Sequence, residues 1–160
     1  MIWIPSATEA WEVVQVVNSD SSSVTVKRTN GGQDFKVPGN LSTYGSVNLP
    51  ALEESCENLV NLETFNEGII LHHIKKRFSQ DKIYTYVGNI LIALNPYKHI
   101  DIYGLSVVER IYEQVKRKQD PPPHVFSIAA NAVFNMREDA KDQSVLISGK
   151  HKISRIAYNI

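Results

Sequence analysis

Between residues 11 and 37 the chain alternates short apolar runs with turn chemistry. Val24 and Val26, with Thr25 and Lys27 at the intervening positions, give a period of two. The runs at 11–17, 24–28 and 35–37 are separated by Asn18-Ser19-Asp20-Ser21-Ser22 and by Asn30-Gly31-Gly32. The second of these breaks favours positive φ, so the segment predicts hairpins in a small antiparallel β unit. Pro38-Gly39-Asn40 closes it, and residues 42–50 carry enough Ser, Gly, Asn and Pro to read as a linker.

Beyond Pro50 the period changes. Thr64 and Glu67 stand as a capping box ahead of Phe65, Ile69, Ile74 and Phe78, which predicts an amphipathic helix ending near Phe78, with Lys75, Lys76 and Arg77 at its negative end. Two apolar runs, 83–87 and 90–94, flank Gly88-Asn89 and predict two buried strands joined by a tight turn. Ser106 and Glu109 form a second box before Val108, Ile111, Tyr112 and Val115, and Pro121-Pro122-Pro123 ends what precedes it. A third helix carries Phe126, Ala129, Ala130, Val133 and Phe134, and a short strand is predicted at 145–148 before Gly149.

Composition adds little and excludes some classes. Lysine plus arginine balance aspartate plus glutamate at 17 each, so no basic field draws the chain to nucleic acid. Cys56 is the single cysteine, which rules out an internal disulfide and suits a reducing compartment. No segment approaches the roughly 18 apolar residues of a membrane span, and the first residues lack a signal-peptide pattern. The expected location is therefore cytoplasmic.

The chemistry-bearing candidates start with the strand at 145–148. A strand running into glycine is how a phosphate-binding loop begins, but the full motif needs Gly, Lys and Ser or Thr at positions occupied here by Ser154, Arg155 and Ile156. His72 and His73 are adjacent on a helix and do not share a face, so packing is expected rather than metal binding. Lys116-Arg117-Lys118 reads as a solvated helix end. Tyr84 and Tyr86 share one strand face and read as core aromatics rather than a stacking platform. From spacing alone, Asn95, Pro96 and Tyr103 read as a strand-ending turn and a packed ring.

Several stretches, in order, resemble a known family. Asn61-Leu62-Glu63-Thr64-Phe65-Asn66-Glu67, Ile83-Tyr84-Thr85-Tyr86-Val87-Gly88-Asn89-Ile90-Leu91-Ile92-Ala93-Leu94-Asn95-Pro96-Tyr97-Lys98, Pro123-His124-Val125-Phe126 and Gln143-Ser144-Val145-Leu146-Ile147-Ser148-Gly149 look like the myosin motor head, of unconventional type. Trp3-Ile4-Pro5 and the β unit are similar to the small barrel at the start of many myosins. The resemblance implies an actin-activated ATPase that uses ATP with Mg and partners the actin filament in the cytoskeleton. It also implies that Asn95, Pro96 and Tyr103 form the loop that holds the purine, and that Ser148 and Gly149 open the phosphate loop. His99 and Asp101 stand where the family often has a basic residue and a proline.

After Gly149 the resemblance stops, and residues 150–160 read as a divergent tail from an alternative or mispredicted exon, read-through or a truncated gene. The expected fold is therefore α/β, in α+β fragment form: a small N-terminal antiparallel β barrel with linker over 1–50, then the incomplete start of a P-loop NTPase motor domain over 51–149. No catalytic or metal-binding residue is assigned. The function expected is the N-terminal portion of an actin-based motor, inactive alone for lack of the P-loop lysine and the switch segments. The alternatives are a non-enzymatic module binding a protein partner and an inert product.

Overall fold

A computed structural model describes residues 1–149, which form two compact units, Met1–Gln80 and a second from Asp81 onward. In the first unit, β1 (Ile2–Ser6), β2 (Ala10–Ser19), β3 (Ser23–Arg28) and β4 (Phe35–Pro38) make an antiparallel meander in the order β1-β2-β3-β4. Alternation puts Ile2, Ile4, Val14, Val24 and Val26 on one face, where they form a buried core with Val16, Phe35, Val37 and Tyr44 packed against it. The Asp20 carboxylate closes the β2–β3 turn by accepting from the Ser22 and Ser23 amides at 2.8 and 2.7 Å. Those bonds pull its pKa down to about 2.

The sheet curls. Trp3 N–H donates to the Gly45 carbonyl at 2.9 Å and Val47 N–H to that of Met1 at 3.1 Å, so the residues after β4 return along the outer edge of β1 and cover it. The expected β unit is thus present, with one strand more than the periodicity predicted. β1 escapes a periodicity reading because it is buried on both faces: Ile2 and Ile4 enter the sheet core, and Trp3 turns to the other side.

That other side is covered by helices. α1 (Leu49–Glu53) starts inside the stretch read as a linker, with Pro50 in its first turn, where a missing N–H costs nothing. α2 (Glu67–Phe78) is capped by Asn66, whose Oδ1 accepts from Ile69 N–H at 3.0 Å, and not by Thr64 as the box pattern predicted. Asn66 sits where its short side chain reaches the third helical amide, so it takes the role. Gly68 lies under the Trp3 ring, and Lys75 reaches the Glu9 carboxylate at 2.6 Å. These contacts place α2 in the same compact unit as the sheet, Met1–Gln80.

The paired histidines do structural work. His73 is buried with Nε2 2.9 Å from the Ala51 carbonyl, His72 Nε2 lies 3.1 Å from that of Leu52, and Lys76 Nζ donates to Leu52 and Glu53 at 2.9 and 2.8 Å. α2 thereby satisfies the carbonyls at the end of α1. Burial pushes the His73 pKa below its ordinary value; His72 and Lys76 push the same way, while the Ala51 bond and Glu54 oppose. With the folded pKa depressed, the unfolded chain binds the proton first. Stability is complete above the unfolded value of about 6.5 and falls as pH drops below it. Urea midpoints followed by tryptophan fluorescence, which reports Trp3 and Trp11 in this unit, should decline from pH 7.5 to 5.5. A flat profile would show that His73 protonates without resistance.

In the second unit, β5 (Tyr84–Val87) and β6 (Ile90–Ala93) form the predicted hairpin, with Gly88 at φ 60° in the two-residue turn. The strands are less buried than expected, β6 especially. α3 (Leu105–Lys116) follows Gly104, which caps without a side chain, so the predicted Ser106 box is not used. α4 (Val125–Asp139) packs against α3, and Arg137 Nη1 donates to the Tyr112 hydroxyl at 2.9 Å. The strand expected at 145–148 is not formed: residues 141–149 have no regular structure, and Leu146 is 94% exposed. A strand needs a ladder partner, and none of the described strands supplies one. Among the described residues no helix is long and apolar enough to cross a membrane.

Candidate functional site

The segment between β6 and α3 leaves the hairpin through a fixed turn. Leu94 N–H donates to the Ile83 carbonyl at 3.0 Å, and Asn95 Oδ1 accepts from Tyr97 N–H at 2.9 Å across Pro96. This is an Asx turn with proline at its centre, and it holds Tyr97 at φ 51° with the ring 84% exposed. The turn takes one lone pair of the Asn95 oxygen and does not use the Nδ2 donor of this exposed side chain, a donor that would suit an acceptor nitrogen of a flat base. Lys98 pairs with Asp81 at 2.5 Å, both half exposed, an ion pair that contributes little.

Tyr103 closes the segment and is 49% exposed. Its hydroxyl lies 2.9 Å from that of Tyr84 on β5, and its ring meets His124 at 5.6 Å and Phe126 at 6.1 Å between centroids. His124 packs in turn on Tyr84 at 5.0 Å and Phe126 at 4.6 Å. The four rings form one cluster at the start of α4. His124 is buried and caps that helix: its Nδ1 accepts from Phe126 N–H at 3.0 Å, which puts the imidazole proton on Nε2. Burial lowers the His124 pKa and raises that of the Tyr84 phenol, the Tyr103 bond adding to the latter, so both rings stay neutral.

Of the residues singled out in the sequence, Asn95, Pro96 and Tyr103 lie on this one loop. Ser148 and Gly149 are elsewhere in the second unit, both exposed and outside any strand, with open space around Gly149 where a Cβ would stand. Lys150, Ser154, Arg155 and Ile156 lie outside the described residues. Tyr84 reads from the sequence as a core ring, and no short-range signal ties it or His124 to Tyr103. The N-cap position of His124, one residue before an apolar helical run, was the available clue. Among the described residues no three His, Cys, Asp or Glu side chains converge as a metal site would need.

Comparison with known sequences decides the family. Residues 56–153 match the myosin head (motor domain) family. The chain belongs to the myosin heads.

Over 149 residues it is 32% identical to the high molecular weight form of myosin-1 from Acanthamoeba castellanii, covering 93% of this chain and 9% of that protein. It is 34% identical over 151 residues to the myosin-J heavy chain of Dictyostelium discoideum, and 29% identical over 153 residues to the myosin-M heavy chain of the same organism. The chain spans only 6% and 8% of those two proteins. The myosin-head match takes in the Asn95 to Tyr103 loop, the aromatic cluster and the exposed Ser148-Gly149 step, while the relatives' alignments extend over most of the curled sheet as well.

Proposed function

We propose that this myosin-head chain contributes the base-holding side of the nucleotide site of an ATP-driven, actin-based motor in the cytoskeleton, and that it lacks ATPase activity by itself. The observation that carries the reading is the Asn95-Pro96 turn, whose bond engages the oxygen and not the Nδ2 donor of the exposed Asn95 amide, on the same loop as the half-exposed Tyr103 ring. A directed donor and an aromatic ring are what recognition of a purine needs.

The phosphate side is a different matter. Phosphoryl transfer is positioning and electrostatic stabilisation, and the sequence has Arg155 where the phosphate-gripping lysine belongs and Ile156 where a hydroxyl would hold Mg2+. Isoleucine offers no oxygen to a metal ion, so no step through magnesium is assigned to this chain. Ser148 and Gly149 retain only the approach to a phosphate loop.

A ligand that binds only the folded state raises its melting temperature. The melting temperature of the chain should rise with millimolar MgATP and equally with ADP, and should not respond to inorganic phosphate. No shift with either nucleotide would sink the base-holding reading. It would favour the second one, a module bound by other polypeptide, which the exposed Ile90, Leu105 and Leu146 support.

A further inference from the structure

The structure assigns Tyr84, backed by the His124 ring, as the positioning residue that sets Tyr103 for base contact; the inference rests on the base-holding reading above. Tyr103 sits at the end of an irregular loop and is half exposed, circumstances in which a tyrosine side chain ordinarily samples several rotamers. Here it is held at two points. The hydroxyl is fixed by the Tyr84 hydroxyl at 2.9 Å, and the ring is bounded by His124 and Phe126, the latter nearly edge-on at 80°.

The support is itself rigid. Tyr84 is buried on a strand paired through Ala93, and His124 is locked by the Phe126 amide at the first turn of α4. A base that stacks on Tyr103 therefore meets a ring whose freedom has already been removed, and preorganisation of this kind raises affinity without adding a contact. Neither Tyr84 nor His124 reaches the ligand in this arrangement; both act through Tyr103.

Both rings being held neutral bears on the bond. The buried Tyr84 phenol keeps its proton and can donate to Tyr103, whose oxygen retains a lone pair and a proton for solvent. Replacing Tyr84 by phenylalanine deletes that one hydroxyl and keeps the ring packed on His124.

The test uses the whole chain and two probes, adenosine and ADP, titrated by calorimetry, with Tyr84→Phe, Tyr103→Phe and the double variant beside the unsubstituted chain. Tyr84→Phe should weaken both probes by the same factor, roughly three- to tenfold. Tyr103→Phe should lose a similar factor, and the double variant no more than either alone, because one bond is removed in each case. Ring-labelled tyrosine NMR should show faster Tyr103 ring motion in Tyr84→Phe, which a general loss of stability would not confine to that ring. If the unsubstituted chain binds the probes and Tyr84→Phe binds them equally well, the positioning role is overturned while base binding stands. If the unsubstituted chain binds neither probe, the base-holding reading falls and takes this inference with it.

Discussion

Gly68→Ala is expected to lower the stability of the first unit by about 2 kcal/mol. A Cβ at Gly68 would stand 2.4 Å from Trp3 Cδ2, 2.6 Å from Cγ and 2.7 Å from Cε3, distances at which something has to move. The obstacle is the fused core of a buried indole, not the end of a flexible side chain, so either the ring leaves its rotamer or α2 lifts from the sheet. Alanine is the better helix former by up to about 1 kcal/mol, less in the first turn where Gly68 sits, and this gain is too small to offset the overlap. Urea unfolding followed by tryptophan fluorescence measures the effect directly. In a Trp3→Ala background, with Trp11 left as the probe, the same substitution should cost nothing or stabilise, since the clash is gone. A Gly68→Ala chain as stable as the parent would mean that α2 does not approach β1 as described.

The second large effect is at Ile111. It is fully buried on α3, which packs against α4, and Ile111→Ala removes its outer carbons from the core of this unit and leaves a cavity. A cost of about 2–5 kcal/mol is expected, the spread reflecting how far the two helices can close over the space. Amide hydrogen exchange is the suitable measurement, because both tryptophans are in the first unit and fluorescence would miss the change. Protection of α3 and α4 amides should fall by more than tenfold. Unchanged protection would show that the helix pair is not the stable part of this unit.

What could be read from the sequence divides along a physical line. Elements that carry their own periodicity were legible: β2, β3 and β4, the β5–β6 hairpin around Gly88, and three helices. Features decided by distant partners were not. β1 owes its burial to the Val14, Val24 and Val26 core on one face and to Gly68 against Trp3 on the other, Asn66 displaces Thr64 as cap through a two-residue difference in reach, and residues 145–148 lack the neighbour that would make a strand of them. The candidate site follows the same division. Asn95, Pro96 and Tyr103 came from resemblance to the myosin heads, while spacing alone favoured a plain turn. The ring cluster behind Tyr103 joins residues 84, 103, 124 and 126 from three separate segments, a juxtaposition that local pattern does not encode.

The capping of α1 by α2 also orders events in time. A five-residue helix is well below the length at which helices hold in water, so Leu49–Glu53 has no stability of its own to contribute. Its last carbonyls are taken by His72, His73 and Lys76, which leave the ribosome some twenty residues later. During synthesis α1 therefore waits as unstructured chain until α2 has emerged and coiled, and its appearance marks the moment when the helical layer locks onto the sheet.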